Sequence, residues 1–324
     1  MSAATAIPFS NLRDAGDLAK YLGCQVADLN AFIDFSQSRF YTELKIPKKG
    51  RTRRGQFRTV YRPVQDLGLL QKIIATSVMS KSSFPDCVQG FVPHRSIVTN
   101  ARIHLGQKVL LHADIHNFFD SITVRQVFET FENLGCAPVV AYFLAKLCTL
   151  DGFLPQGSSA SPVLANLVSR FLDADLCSLA VAHNCKYSRY GDDITISGDS
   201  IPQAAQIERI LKKHGFELRD GKCRTQRRGG SQYVTGLSVF EKSGPRIPTL
   251  FKRRLRLELH YASLFGWKSH VAFIGAEDSE RYEAARIEGW IRFIHSVEPQ
   301  AAAEFDAEWQ KILAKREEDD EQSC

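Results

Sequence analysis

The sequence contains no CxxC pair, no apolar run approaching the length of a membrane span, and no internal repeat, long linker or low-complexity segment. Its eight cysteines are scattered, which argues against a zinc ribbon and against a disulfide framework. They read as buried thiols in a reducing compartment. Met1 to Ser10 has no basic flank ahead of an apolar stretch, so no secretory signal is expected, and a cytoplasmic, membrane-free location follows. What is present is ordinary for a globular protein: 324 residues, 44% hydrophobic and 24% charged, enough for one large domain or two to three small ones. The net charge of +6 is modest but unevenly placed. Basic residues cluster at Lys48, Lys49, Arg51, Arg53, Arg54, Arg58 and Arg62, at Arg224, Arg227 and Arg228, and at Lys252, Arg253, Arg254 and Arg256. Such clustering suits a polyanionic partner, although three solvated surfaces would give the same composition.

Apolar spacing predicts helix from about Asn11 to Glu43, through Leu18, Leu22, Leu29, Phe32 and Phe35. The Gly-containing basic stretch Pro47 to Phe57 reads as a hairpin or loop, and FRTVYRP after it as extended. Leu67 to Met79, Val124 to Leu134, Val139 to Leu147 and Ala204 to His214 are helical in pattern, the last closed by Gly215. Val109 to Ile115 is a short apolar run that reads as a buried strand. Ser161 and Pro162 suit the N-cap and first position of a helix whose apolar face is Leu164, Leu167, Val168, Phe171 and Leu172. Tyr187 to Ser197 alternates around a tight turn, as in a β-hairpin. Tyr233 to Phe240 reads as one strand. From Leu250 onward the pattern is helical, anchored by Trp267, Trp290 and Phe293, and the acidic end from Arg316 to Cys324 is expected to fray.

The chemistry concentrates at Tyr190-Gly191-Asp192-Asp193. Adjacent carboxylates on a hairpin turn repel one another, so a cation is the natural companion. Mg²⁺ prefers oxygen ligands, usually one or two carboxylates plus phosphate oxygens. Taken alone, such a pair is more often a plain polar turn. Asp114, however, ends the apolar run VLLHAD, and Phe118-Phe119-Asp120-Ser121 follows. If the two strands lie side by side, Asp114 and Asp192 can grip two metal ions, the arrangement that stabilises both attacking and leaving oxygens in phosphoryl transfer.

With these neighbours the pattern resembles the reverse transcriptases. Tyr-x-Asp-Asp is similar to their catalytic hairpin and ADIHNFFDSI, Ala113 to Ile122, to their first palm motif. LPQGSSASPVLANL, Leu154 to Leu167, resembles the segment that opens the palm helix beneath the incoming nucleotide, and FRTVYRP, Phe57 to Pro63, the fingers motif. The resemblance implies an α+β right-hand polymerase with an antiparallel palm sheet and a helical thumb. Fingers with an N-terminal helical region would span 1–105, palm 106–243, and thumb with an acidic tail 244–324. It implies two Mg²⁺ ions on Asp114, Asp192 and Asp193, with Asp193 the less direct ligand. Arg58 would hold triphosphate, Gln156 and Gly157 would shape the nucleotide pocket, and Phe119 would exclude ribonucleotides. Lys222, in GFELRDGK, would meet the departing pyrophosphate.

Two short elements narrow the resemblance to the bacterial retron type. Asn100-Ala101-Arg102-Ile103-His104 matches NAxxH, and Val234-Thr235-Gly236 matches VTG. In that family both bear on recognition of the cognate RNA; read locally, Asn100 and His104 are an i, i+4 helix pair, and VTG is a buried strand. One departure is Gly191, where many retron enzymes have Ala. The resemblance implies synthesis of a branched RNA–DNA hybrid from a cognate non-coding RNA, with deoxynucleoside triphosphates as substrates. A role in antiphage defence beside a separate effector protein is implied as well. Rival readings are a group II intron-like or diversity-generating reverse transcriptase and, in another class, an RNA-binding scaffold that restrains a toxin.

Overall fold

The computed structural model describes residues 11–34, 37–47, 55–276 and 279–321. By internal contact the chain divides into two units, Met1–Arg95 with Leu111–Thr225, and Ser96–Leu110 with Gln226–Cys324.

In chain order, α1 (Ala15–Leu22) starts where Asp14 accepts a hydrogen bond from Asp17 N and stops at Gly23. After α2 (Val26–Asp34), β1 (Tyr41–Pro47) and β2 (Phe57–Pro63) pair antiparallel, Tyr41 opposite Pro63 and Pro47 opposite Phe57. Next are α3 (Gln65–Lys81), α4 (Ile97–Ile103) and β3 (Val109–Asp114). A Ser96–Thr99 capping box starts α4 and a Thr123–Gln126 box starts α5 (Val124–Asn133); each satisfies backbone donors that a helix leaves open. Pro138 occupies the first turn of α6 (Pro138–Cys148), where its missing N–H costs nothing. α7 (Ser161–Val168), α8 (Arg170–Ala182), β4 (Lys186–Tyr190), β5 (Asp193–Gly198), α9 (Ala204–Lys213) and β6 (Arg224–Arg227) follow. The last elements are β7 (Tyr233–Val234), β8 (Leu237–Ser238), α10 (Thr249–Phe265), α11 (Trp267–Phe273), α12 (Glu280–Val297) and α13 (Pro299–Glu321).

The fold is thus mixed α and β. One sheet is four-stranded, in the order β4-β5-β3-β6. In the first unit Leu111, Ala113, Ile194 and Ile196 of this sheet belong to one core with Phe131, Leu144, Leu164, Leu176 and Leu211 from the helices. Truncating a fully buried ring such as Phe131 to Ala should cost about 3–5 kcal/mol. The second unit has its own core, Leu255, Leu259, Trp267, Ile291, Ile294 and Trp309 among others, with Trp267 and Trp309 edge to face at 4.9 Å between ring centres. No described helix is long and apolar enough to cross a membrane. The seven described cysteines are all free thiols, and burial pushes that of Cys136 up to about 12.

Several expectations change. The helix expected over Asn11 to Glu43 is two short helices and then a strand, because Gly23 closes the first and Tyr41–Pro47 finds a partner in β2. Ser161 is not an N-cap: its hydroxyl is buried and donates to Pro155 O at 2.8 Å. Ser169 separates α7 from α8 and shifts the helical phase, leaving Phe171 58% exposed although Leu164 and Leu172 are buried. The single strand expected over Tyr233 to Phe240 is instead the minimal hairpin β7–β8. Of the end expected to fray, Arg316 to Glu321 continues α13, and Gln322 to Cys324 lie outside the described residues. The basic residues Lys48, Lys49, Arg51, Arg53 and Arg54 lie outside the described residues.

Candidate active site

The acidic hairpin follows from its turn. In the β4–β5 register Tyr190 faces Asp193, so Gly191 and Asp192 form a two-residue connection. Gly191 has φ +66° while Asp192 does not share the left-handed region, which matches a type II′ turn and requires glycine at its first position. The chain therefore presents Asp192 at the tip and Asp193 at the start of β5. Asp114 ends β3, and the main chain just beyond it is bonded to the tip, Ile115 N donating to Asp192 O at 3.0 Å. The side-by-side placement that the acid set required is present.

The electrostatics agree. Burial raises the Asp192 carboxyl, as does the nearby Asp114 charge, while Arg58 and Arg219 draw it down. Asp193 keeps solvent contact on one face. Partial desolvation and the charges of Asp192 and Asp114 nonetheless push it up to about 6, against the pull of Arg224 and Lys222. Carboxylates crowded and raised in this way would be relieved by a nearby cation. Among the described residues no three His, Cys, Asp or Glu side chains close into a complete metal cage. One or two carboxylates completed by phosphate oxygens are what a hard cation such as Mg²⁺ takes, so a pair of these acids fits a divalent metal.

Beside the acids lies a cleft of about 470 Å³, lined by Asp192, Arg58, Tyr61, Phe91, Asn117, Phe119, Gln156 and Arg219 among others. Phe119 is half-buried, with ring centres 5.5 Å from Phe118 and 6.2 Å from Phe91, so its position is fixed by aromatic neighbours. Gln156 reaches the cleft because its carbonyl accepts from Tyr61 N at 2.6 Å, which docks β2 onto the Leu154–Ser158 segment. Gly157 does not line the cleft. Its φ is +119°, and a Cβ there would sit 2.6 Å from Tyr61 O and 2.7 Å from a Val60 methyl; it permits the close approach of β2.

Lys222 lies near enough to lower Asp193 but does not line the cleft. Arg219 does: its N–H donates to Asp114 O at 2.8 Å and its guanidinium lies 3.5 Å from the Asp114 carboxylate. The sequence marked this stretch but not which cation in it meets the acids. A turn between them brings Lys222 N to Arg219 O at 3.1 Å.

The two short elements meet in the second unit. Asn100 and His104 are buried, as is Val234. Thr235 and Gly236 form the two-residue β7–β8 turn, both with positive φ, 47° and 83°. That turn type rarely accepts a β-branched residue. The Thr235 hydroxyl donates to Ile97 O at 3.1 Å, tying the turn to the first residue of α4.

Crowded carboxylates on a hairpin, a cationic cleft beside them and an aromatic wall make up the candidate active site. Residues 46–277 match the family model of the reverse transcriptases, RNA-dependent DNA polymerases, so the catalytic class is RNA-directed DNA polymerase. The chain is 33% identical to the retron Mx65 reverse transcriptase of Myxococcus xanthus over 308 residues, covering 85% of this chain and 71% of that one. It is 31% identical to the retron Ec86 reverse transcriptase of Escherichia coli over 293 residues, 88% and 85% of the two chains. With the retron Mx162 reverse transcriptase of Myxococcus xanthus it shares 28% over 344 residues, 94% and 68%. The protein belongs to the retron reverse transcriptases.

Proposed function

We propose that this polymerase copies part of a cognate structured non-coding RNA into DNA that stays joined to the RNA by a branch. The observation that carries the catalytic part is the cleft in which Asp192, Arg58, Gln156, Phe119 and Arg219 converge. In each step a primer hydroxyl oxygen attacks the α-phosphorus of a deoxynucleoside triphosphate, a new P–O bond forms, and pyrophosphate leaves. In the first step the attacking group is a 2′-hydroxyl of the RNA. Two Mg²⁺ ions held by Asp114, Asp192 and Asp193 would supply charge stabilisation to the attacking and leaving oxygens. Arg58 and Arg219 neutralise the triphosphate and the departing pyrophosphate, with Lys222 in a supporting position near Asp193. The Phe119 ring, on the wall of the cleft, would exclude a ribose 2′-hydroxyl. Gln156 borders the nucleotide, and Gly157 serves that pocket indirectly by seating β2.

In this reading residues 1–105 act as fingers, 106–243 as palm and 244–324 as thumb. Lys252, Arg253, Arg254 and Arg256 on α10 give salt-sensitive affinity for duplex phosphates. Phosphate contacts cannot choose one RNA. Asn100, His104, Val234, Thr235 and Gly236 are our candidates for that choice. Because Asn100, His104 and Val234 are buried, they act by shaping α4 and the Thr235–Gly236 turn that such an RNA would meet. The product serves cytoplasmic antiphage defence together with a separate effector protein.

Protein isolated from its native locus should carry a specific small RNA covalently joined to DNA, seen as a branched species on a denaturing gel and identified by sequencing. Absence of any nuclease-sensitive material would favour an intron-like or diversity-generating enzyme. Branched RNA–DNA bound to a chain unable to extend a primer would favour the scaffold reading. Replacing Asn100 and His104 together by Ala should reduce synthesis on the cognate RNA more than on a generic primed template. Equal losses, with a lowered melting temperature, would reduce the pair to structural packing.

A further inference from the structure

Beneath the acidic hairpin lies a buried ionic network that the chemistry above does not use. Arg189, the residue before Tyr190, is fully buried, and so is its partner Asp173 on α8. The pairing is forked: Nε donates to Asp173 Oδ1 at 2.8 Å and Nη2 to Oδ2 at 2.7 Å. The remaining guanidinium nitrogen, Nη1, turns toward the catalytic turn, donating to Gly191 O at 3.0 Å and to Asn166 Oδ1 at 3.2 Å. Asn166 in turn donates to Gly90 O at 2.9 Å. Tyr187 donates its hydroxyl to Asp173 Oδ1 at 2.7 Å. The Phe118 ring covers the guanidinium, 5.5 Å from its carbon to the ring centre. The backbone of Arg189 is held as well, its N–H to Cys87 O and its carbonyl by Gln89 N, both at 2.8 Å.

A buried ion pair is a poor device for stability alone, because desolvation offsets most of the attraction and apolar packing does as well. What sets this one apart is the direction of its third nitrogen. Gly191 O is the carbonyl immediately before Asp192, so its orientation fixes the peptide plane from which Asp192 projects. Arginine is the side chain suited to this geometry. Its rigid planar fork can satisfy one carboxylate on two edges and still donate from the third nitrogen, which a lysine ammonium on a flexible stem does not reproduce. The contact of Arg189 with the catalytic turn runs through the Gly191 peptide.

We infer that Arg189 is a positioning residue for metal binding: clamped by Asp173 and Asn166, it holds the Gly191 carbonyl and thereby sets the pose of Asp192. The inference rests on the assignment of Asp192 as a metal ligand, and the test separates the two. Mn²⁺ is titrated into the nucleotide-free full-length protein and followed by electron paramagnetic resonance, for wild type, Asp192→Asn, Arg189→Lys and Tyr187→Phe, with thermal melts in parallel. Loss of Mn²⁺ binding in Asp192→Asn establishes the site itself. Arg189→Lys should then weaken Mn²⁺ binding by about tenfold to a hundredfold, the usual cost of disturbing the support of a metal ligand. The Mg²⁺ requirement for extension should rise in parallel, with the nucleotide KM little changed. Tyr187→Phe removes a bond to Asp173 but leaves the Gly191 contact; it should lower the melting temperature and leave Mn²⁺ binding within about twofold. Should Arg189→Lys fail to fold, Asn166→Leu, which frees one anchor of the same nitrogen, is expected to weaken Mn²⁺ binding by a smaller factor in the same direction. Unchanged Mn²⁺ binding in a folded Arg189→Lys or Asn166→Leu protein, or equal weakening in Tyr187→Phe, overturns the inference. Unchanged binding in Asp192→Asn overturns the metal assignment instead.

Discussion

Replacing Asp192 by Asn tests the site from two sides, because activity and stability should move in opposite directions. The side chain sits at the tip of the β4–β5 turn, its carboxyl raised by burial and by Asp114. A raised folded value means that the ionised form is tolerated less well in the folded chain than in the unfolded one. The favourable contribution is complete below the unfolded carboxylate value, about 3.9, and is lost as pH rises through the folded value. At neutral pH the metal-free wild type therefore carries a repulsion that an amide of the same shape relieves. Relief of such functional strain is commonly worth about 0.5–2 kcal/mol, or roughly 1–4 °C in melting temperature for a chain of this size. The advantage should shrink toward pH 4. The amide supplies no anionic oxygen, so extension should fall by at least about 10²–10³, or some 3–4 kcal/mol of transition-state stabilisation. The assay is extension of a primed RNA template in Mg²⁺ beside melts of metal-free protein at pH 4 and pH 7.5. Extension within tenfold of wild type would refute the metal assignment. A variant that melts several degrees below wild type at pH 7.5 would refute the electrostatic account of the turn.

Phe119→Ala should raise ribonucleotide over deoxynucleotide incorporation by roughly tenfold or more; an unchanged ratio on a single template would mean that the ring only packs against Phe91 and Phe118. Asp193 is pushed up to about 6, so protons should compete with metal below that pH, and half-saturating Mg²⁺ should climb toward about tenfold per unit. A Mg²⁺ requirement that stays flat from about pH 7.5 to pH 5.5 contradicts this. Gly157→Ala must displace Tyr61 or Val60 and strain a positive φ, at about 1–3 kcal/mol. Urea denaturation should record that loss and a raised nucleotide KM should accompany it; a neutral substitution would show that β2 yields freely.

Features whose cause is local were legible in the chain before it folded. The tight turn at Gly191 and Asp192, the apolar run leading to Asp114, and the helices over Leu67 to Met79 and Val124 to Leu134 all follow from short-range pattern and turn chemistry. Tertiary packing settled the rest, because the deciding partners are distant in the chain. Tyr41–Pro47 is a strand only because β2 lies beside it. Ser161 gives its hydroxyl to Pro155 rather than to its own helix. Gly157 proves to be the seat for Tyr61, and Arg219 rather than Lys222 reaches the cleft. Asn100 and His104 were legible as a helix pair but not as buried residues, since burial depends on what packs above them. Arg189 shows the limit most clearly. In the sequence it is one more arginine in a basic chain, and only the folded molecule sets it against Asp173 at 2.7 Å, where a desolvated charge must find every partner it needs.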